Sequence, residues 1–178
     1  MKAHGLIALL SLGAISHTWA ADVGIGVSIK SHDNSIYAPI RISESILLEP
    51  YYRQNEFKNS YDLSSSGNEQ EEIGLGVFHT LADESGINVY FGLRAGYVER
   101  NNYYRSAAGD FKDVNDGYRF SPTIGIEYML LKSLAISGEA EWYKYDLDGH
   151  RTDGGTRENI EFSSKGTDTR IIVRYYFD

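Results

Sequence analysis

Paired carboxylates are the residues of this chain most capable of chemistry. Glu139 and Glu141 are two residues apart, and Glu127 lies on the preceding predicted strand. Because successive side chains of a strand point to opposite faces, Glu139 and Glu141 share one face, and two such acids can act as general acid and base. The same face also carries arginines, Arg94 and Arg119 among them, so we favour ion pairing over catalysis.

Nucleophilic and metal chemistry find little support in the residue types. The chain has no cysteine, which excludes thiol nucleophiles, disulfides and cysteine metal sites. A serine nucleophile needs a histidine base, but none of His32, His79 and His150, the three histidines after residue 20, is followed by a serine two residues on. The oxygen-rich segments 110–117 and 146–149 suit calcium but lack EF-hand spacing, and turn chemistry explains them equally well. We therefore expect no catalytic residue, no metal site and no cofactor.

Alternation of apolar and polar residues predicts the elements that position these side chains. The last ten residues place two arginines on one face and an apolar row on the other, formed by Thr169, Ile171, Val173, Tyr175 and Phe177. The same period of two along the chain predicts eight strands. They are Asp22–Lys30, Ile36–Ile42, Ile46–Glu56, Glu69–Thr80, Ile87–Arg100, Gly117–Leu130, Ser133–Tyr145 and Ser163–Asp178.

The connections between these strands alternate between short and long, except that the first outer connection, Ser31–Ser35, breaks this pattern. The short ones are Ser43–Ser45, Ala82–Gly86 and Leu131–Lys132. The long ones are polar and cover Lys58–Asn68, Asn101–Asp116 and Asp146–Phe162. Short turns at one end and long loops at the other are typical of outer-membrane barrels, in which the short turns face the periplasm. The sequence therefore predicts long acidic loops outside the cell.

The apolar face of the predicted strands carries its aromatic residues mainly at the strand ends. Barrels in outer membranes have aromatic girdles at both membrane interfaces, because these amphipathic rings suit the headgroup level. We assign the following residues to two girdles: Tyr52, Tyr97, Phe120, Tyr128, Trp142, Tyr175 and Phe177.

The opposite face combines charges with glycines. An eight-stranded barrel has an interior that side chains just fill, and charges in such a space must be paired. We therefore predict an all-β fold, an eight-stranded antiparallel up-and-down transmembrane β-barrel with a filled polar interior. Its predicted interior ion-pair network contains Arg41, Glu49, Arg53, Arg94, Arg119, Glu127, Glu139, Glu141, Arg170 and Arg174.

The first twenty residues have the pattern of an export signal. Lys2 precedes a short apolar stretch from Leu6 to Ile15, and Thr18-Trp19-Ala20 follows at the cleavage position. The stretch is shorter than the ~20 residues of a spanning helix, so we expect a signal peptide over 1–20 and one barrel domain over 21–178. Without Lys2 the chain has 16 basic residues (17 − 1) against 25 acidic ones, which argues against nucleic acid as a partner.

Four segments of the chain carry a family resemblance. They are the glycine-spaced Asp22–Val27, the segment Ile36–Ile42 followed by Leu48-Glu49-Pro50, the strand Tyr90–Tyr97, and the ending Arg174–Phe177. Because of these four segments taken together, the chain resembles small outer-membrane β-barrels of the OmpA-like/OmpX-like type. The resemblance covers the whole chain after the signal. One departure is that family members usually end on the aromatic residue, whereas Asp178 follows Phe177 here.

The resemblance implies a location and partners. The location is the outer membrane of a Gram-negative bacterium, after cleavage of the signal. The implied partners are outer-membrane lipid, lipopolysaccharide, and the barrel assembly machinery, which would recognise the C-terminal strand. The implied role is that of a non-enzymatic, porin-like protein that contributes to envelope structure or presents acidic loops for surface interaction.

Three alternatives stay open from the sequence. A lipid A-modifying enzyme of the deacylase kind would carry a histidine and a serine two residues apart, and none of the three histidines after the predicted signal has that partner. A narrow ion channel would run through the charged interior. A soluble lipocalin-like periplasmic carrier would instead enclose the apolar face.

The predicted loop Asn101–Asp116 offers candidate residues for surface binding. Tyrosine and arginine are enriched at binding hot spots, and loops on a rigid scaffold often carry binding function. The candidates are Tyr103, Tyr104, Arg105 and Phe111, although the tyrosines could equally extend the aromatic girdle.

Overall fold

Nine β-strands account for nearly all of the described chain. The structure is a computed structural model that describes residues 22–29, 33–61, 64–82, 86–106 and 109–177. The predicted signal peptide, His32 and Asp178 lie outside the described residues. The strands are β1 (Asp22–Ile29), β2 (Asp33–Tyr37), β3 (Ile40–Ser43), β4 (Ile46–Tyr61), β5 (Ser64–Ala82), β6 (Ile87–Ser106), β7 (Gly109–Met129), β8 (Leu134–Asp153) and β9 (Thr156–Tyr176).

The strands form one closed antiparallel barrel. β2 and β3 are consecutive segments of a single barrel strand, because both pair with β1 on one side and with β4 on the other. From β4 to β9 each strand pairs with the next, and β1 pairs with β9 to close the ring. The barrel is therefore eight-stranded with up-and-down topology, which confirms the predicted fold class.

Proline explains the break between β2 and β3. Pro39 has no backbone N–H to donate to a sheet ladder. The neighbouring bonds nevertheless persist, because the Ala38 N–H donates to the Pro50 carbonyl and the Gly24 N–H donates to the Pro39 carbonyl, both at 2.8 Å. The interruption therefore leaves the barrel wall continuous.

The prediction of three long loops is wrong for nearly all of their length. Residues 58–61, 64–68, 101–106, 109–116, 146–153 and 156–162 are paired strand instead. The turn at Gly154-Gly155, where φ is +52° and +89°, has the positive φ values of a tight hairpin turn. Apolar alternation marks a strand only where one face is buried in an apolar phase. It disappears where the outer face lies in water and the inner face carries largely polar side chains.

The paired segments form an extension of the barrel wall at the end opposite the start of β1 and the end of β9. Six strands, β4 to β9, take part in it. A membrane strand needs about 9–11 residues, whereas β7 and β9 each contain 21. The extension has its own packed interior, in which Val98 and Leu147 are buried, and Arg151 donates twice to Asp113 at 2.8 Å. These hydrogen bonds raise the pKa of Arg151 above its ordinary value.

The two faces of the barrel wall differ as sharply as the sequence predicts. The outer face exposes isoleucine, leucine, valine and aromatic side chains along every long strand, whereas the inner face buries arginine and glutamate. The lipocalin-like alternative is therefore wrong, because it requires the apolar residues inside. Within the described residues, no helix is long and apolar enough to cross a bilayer.

Glycines on the inner face make room for large side chains. A Cβ atom at Gly96 would lie 2.7 Å from the Tyr51 hydroxyl, and one at Gly125 would collide with the Tyr90 ring. The glycine-rich inner rows therefore allow rings from neighbouring strands to cross the barrel.

Hydrogen exchange tests the extension. We expect the backbone amides of 101–106, 109–116 and 146–153 to exchange slowly, over minutes to hours, because they are hydrogen-bonded in strand ladders. The measurement is hydrogen–deuterium exchange with mass spectrometry on the folded protein in detergent. If these segments exchange completely at the earliest time point while residues 118–128 stay protected, the segments are long loops and the paired extension is wrong.

Candidate functional site: an ion-pair network that fills the barrel

A compact group of arginines and glutamates lies in the half of the barrel interior nearer the start of β1 and the end of β9. Arg94 donates from Nη1 to Glu139 at 2.6 Å and also pairs with Glu49. Arg174 donates to Glu49 at 2.8 Å, to Glu139 at 3.0 Å and to Glu127 at 3.1 Å. Both guanidinium groups are almost fully buried. Each carboxylate of this group therefore contacts at least one arginine, as buried charges require.

Tyrosines complete the coordination of these carboxylates. The Tyr90 hydroxyl donates to Glu139 at 2.6 Å, and the Tyr176 hydroxyl donates to Glu127 at 3.0 Å. Arg41 lies at the terminal end of the group, where its Nη2 is 3.1 Å from Glu127 and its side chain is 22% exposed. The network thus reaches the barrel mouth on that side.

A second group lies above the first, on the side of the extension. Glu72 accepts from Arg53 and Arg119 at 3.2 Å each, and from the Tyr51 hydroxyl at 2.5 Å. Glu141 pairs closely with both Arg119 and Arg170. The geometry is that of charge-assisted hydrogen bonds, which are stronger than neutral ones.

The two groups are continuous. Arg94 Nη1 lies 3.8 Å from Glu141 Oε2, and Arg170 Nε lies 3.9 Å from Glu139 Oε2. Asp168 lies 3.5 Å from Arg170, at the upper end. Among the described residues the network contains six arginines and, with Asp168, six acids. The interior is thus close to neutral.

Aromatic rings pack against the guanidinium planes. The Arg94 guanidinium carbon lies 4.8 Å from the centre of the Phe78 ring and 5.3 Å from that of Tyr37. Arg119 lies 4.5 Å from the centre of the Tyr143 ring. Cation–π contacts are strongest where water is excluded, so these rings stabilise the arginines and also fill the space between them.

All ten residues predicted for the ion-pair network lie in these two groups. The predicted interior does not include Tyr37, Tyr51 and Tyr90, whose rings face inward and are buried. Their position in the alternation could have revealed them, since Tyr51 lies two residues from both Glu49 and Arg53 and so shares their face.

The geometry of this site suits rigidity better than catalysis. Glu139 and Glu141 each pair with arginines, so neither is placed to take a proton from a substrate. His79 lies on the outer face with its ring 5.4 Å from that of Phe91, and His150 lies 3.2 Å from Arg157 in the extension. In the described segments, no group of three or more histidines and acids could hold a metal ion.

The residues assigned to the girdles all lie on the outer face. Phe120, Trp142 and Phe177 are more than half exposed. Tyr97 packs edge-on against Tyr118, and Tyr175 packs edge-on against Phe177. On β7 the aromatic residues Tyr118 and Tyr128 are about ten residues apart, which is the length of strand that crosses a membrane.

The four candidate binding residues lie together at the tip of the extension. Tyr104 stacks on Phe111 at 5.3 Å, and Arg105 pairs with Asp110 at 3.1 Å. The Tyr103 ring lies against Gly67 on the neighbouring strand. A cleft of about 770 Å³, the tip cleft, is lined by these four residues together with Ser65, Asp110, Lys112, Thr152, Gly154 and Gly155.

Comparison with known proteins shows similarity of structure without similarity of sequence. No family model matches the chain, and no curated protein matches it in sequence. The chain is similar to the structure of a major outer membrane protein from Thermus thermophilus, with a TM-score of 0.65 and 12% identity, over 89% of this chain and 100% of that one.

Two further solved structures are similar. Neisserial surface protein A has a TM-score of 0.53 and 14% identity, over 88% of this chain and 94% of that one. The outer membrane protease OmpT from Escherichia coli has a TM-score of 0.51 and 11% identity, over 82% of this chain and 62% of that one. Likeness at such low identity shows a shared barrel fold.

A double-mutant cycle tests the network. We expect Arg94→Met to lower the free energy of unfolding by about 3–5 kcal/mol, because it leaves Glu49 and Glu139 short of a buried partner. Glu139→Gln should lower the free energy of unfolding by less in the Arg94→Met variant than in the wild-type protein. The expected coupling energy between the two substitutions is about 1–3 kcal/mol. The measurement is urea unfolding in lipid vesicles. Additive effects of the two substitutions would contradict the pairing.

Proposed function

We propose that this chain is a non-enzymatic barrel of the bacterial outer membrane that contributes to envelope structure and carries a rigid extension outside the cell. The single observation behind the proposal is the distribution of polarity across the barrel wall. Isoleucines and leucines are exposed outside while arginines and glutamates are buried inside. In water this arrangement would expose a large apolar surface, whereas in a bilayer it is the expected one.

A row of acids supports the position of the upper membrane boundary. Glu71, Glu99, Asp116, Asp148 and Glu161 lie directly opposite one another on five adjacent strands. All five are on the outer face, one step beyond Tyr97 and Tyr118 on their strands. Carboxylates on the lipid face are unfavourable within the hydrocarbon, so on each of these strands the apolar phase ends below its acid.

The orientation follows from the two barrel ends. The short connections at Glu44-Ser45 and 130–133 lie at the same end as the first and last strands' termini. The hairpin of β8 and β9 also closes in a tight turn at Gly154-Gly155, but it reaches far beyond the apolar band. Outer-membrane barrels have short excursions in the periplasm and long ones outside the cell. We therefore infer that the extension points away from the cell, and that the proposed signal peptide and assembly machinery deliver the chain from the periplasmic side.

A lipid-facing substitution tests the membrane location. Ile124 is exposed near the middle of the apolar band of β7, so Ile124→Arg should lower the free energy of unfolding in vesicles by about 2–4 kcal/mol. The matched control is Glu99→Arg, on the same face above the band, which should change it by less than about 0.5 kcal/mol. Equal effects of the two substitutions in urea unfolding would argue against the proposed band.

Conductance tests whether the barrel is closed. The two ion-paired groups fill the interior, so we expect no steady conductance from the wild-type protein in planar bilayers. The variants Arg94→Ala and Glu139→Ala should also show no steady conductance, because the remaining arginines, glutamates and rings still cross the barrel. A steady current through the wild-type protein that rises in both variants would favour the narrow-channel alternative.

Surface binding at the tip cleft is a second candidate function. The cleft combines stacked rings, Tyr104 and Phe111, with the cation of Arg105, on strands held rigid by the extension. Such a combination suits hot-spot contacts. Unlike long loops, a scaffold of paired strands needs little ordering on binding.

Ligand-observed NMR tests the tip cleft. The folded protein in detergent would be titrated with neutral sugars, sulfated sugars and short acidic peptides. We expect one of these classes to show saturation transfer that Tyr104→Ala combined with Phe111→Ala abolishes, while Tyr118→Ala on the girdle leaves it intact. Absence of transfer from all three classes would count against binding at this cleft.

A further inference from the structure

The extension is open along one side. Residues 30–32 alone join β1 to β2, which is about the length that a hairpin turn uses. The last described pairs of this hairpin are Ile29 with Ile171 on β9 and Asp33 with Asn55 on β4. β4 and β9 continue beyond these pairs, and no described strand lies between them there. The six strands of the extension therefore surround a groove that opens where two strands of the barrel end.

Solvent reaches the inner face of the extension through this opening. In the ion-paired network below, the inward arginines and glutamates are nearly all fully buried. In the extension the inward Gln70, Arg100 and Asn102 are only partly buried. Phe57 and Phe162, at the two edges of the opening, are 50% and 37% exposed. The interior of the extension is thus packed on the side of β7 and β8 and accessible on the side of β4 and β5.

Amide side chains dominate the accessible part of this inner face. Two adjacent rows of directly opposed residues on β4 to β7 share the face, and they contain five amides, one arginine and one aromatic ring. The lower row is Asn55, Gln70, Arg100 and Asn115, and the upper row is Phe57, Asn68 and Asn102. We call the space that these two rows line the side groove.

The side groove has hydrogen-bonding groups that the protein does not use. Asn68 donates to Asn102 at 2.6 Å, and Arg100 donates from Nε to the same amide oxygen at 3.3 Å. The guanidinium carbon of Arg100 lies 4.6 Å from the centre of the Phe162 ring, and its Nη groups make no hydrogen bond within the described residues. Because arginine has five N–H donors in a fixed fork, the remaining donors of Arg100 are available to a ligand.

The charges of the side groove favour a neutral ligand. Arg100 is the one cation in the two rows, and the rows contain no acid. Farther along the upper row, Asp113 and Arg151 pair with each other through two hydrogen bonds of 2.8 Å. A ligand with several charges would find few opposite partners here. Hydroxyl groups, which both donate and accept, can bond to every amide.

Aromatic rings at the opening add an apolar surface to these polar groups. Phe57 lies on β4, and Phe162 lies on β9 directly opposite the buried Leu147. Rings offer flat apolar surfaces, and ligand sites combine such surfaces with a few well-placed polar groups. A sugar ring presents both kinds of surface, because its hydroxyl groups alternate with C–H groups.

We propose that the side groove binds a neutral saccharide. Its hydroxyl groups pair with the amides of Gln70, Asn68 and Asn102 and with the guanidinium of Arg100, and a sugar ring packs against Phe57. This site is separate from the tip cleft and goes beyond the proposed envelope function. It depends only on the folded extension, so its failure would leave the proposed membrane location intact.

Saturation-transfer NMR on the folded protein, in a detergent without a sugar headgroup, tests the side groove. The neutral probes are maltohexaose, cellohexaose and mannohexaose, and the anionic probe is a heparin hexasaccharide. We expect a neutral probe to bind and Arg100→Leu to weaken its binding about tenfold, since hydrogen bonds from a charged donor are the stronger ones. Asn68→Ala combined with Asn102→Ala should weaken it about five- to tenfold. Because these two amides bond to each other, removing both leaves neither one unpaired.

Matched controls make the same substitutions on the outer face of the extension. Arg157→Leu lies on β9, and Asn101→Ala combined with Asn159→Ala removes two amides from β6 and β9. Both controls should bind the neutral probe like the wild type. A shift in mobility on boiling, seen on a gel, confirms that each variant is a folded barrel.

The outcomes decide both the site and the class of ligand. If a neutral probe binds and only the side-groove variants weaken it, the inference stands. If no neutral probe binds, or if the heparin hexasaccharide binds more tightly than all three, the side groove is not a site for neutral saccharides. If Tyr104→Ala combined with Phe111→Ala abolishes binding while the side-groove variants bind normally, the sugar lies in the tip cleft and the inference is overturned.

Discussion

Pairing between arginine and glutamate inside the barrel is the interaction on which the rest of the structure depends. A charge buried alone is prohibitively unfavourable, so twelve ionised groups can share this interior only if nearly every one has an opposite partner. Arginine suits this arrangement because its planar fork binds several carboxylates at once and always stays charged. Arg174, for example, contacts three carboxylates, those of Glu49, Glu127 and Glu139. Removal of one partner therefore disturbs several strands at once.

The network also explains the other features of the wall. Large paired side chains need space, and inward glycines such as Gly96 and Gly125 provide it. Since the interior is filled by charges, the apolar residues face outward, and the chain is suited to an apolar solvent. Tyr143, Tyr145 and Phe162 continue the filled interior upward as a row of stacked rings, which ends with Arg100 at 4.6 Å from the centre of the Phe162 ring. The extension is thus a packed continuation of the barrel.

Much of this fold could be predicted from the period of two, because a membrane barrel has an apolar face along every strand within the bilayer. Strand number, the outward apolar rows and the inward charges follow from that period. The extension could not be predicted, because its outer face lies in water and its inner face mixes polar with apolar side chains, so that its sequence, as at Asp146–Asp153, is as polar as that of a loop. The inward position of Tyr51 follows from the same alternation, because Tyr51 lies two residues from both Glu49 and Arg53. The partners of each arginine depend on register across strands, which the sequence of one strand does not contain.

A scan of β7 with a nitroxide spin label tests the central claim most directly. A label would be placed singly at each position from Tyr118 to Tyr128 in the protein reconstituted into vesicles, and its collision rate with dissolved oxygen measured by electron paramagnetic resonance. The account predicts high oxygen accessibility at the even positions, which face lipid, and low accessibility at the odd ones, which face the paired charges. High accessibility at the odd positions, with the even ones protected, would show an apolar interior and contradict the account.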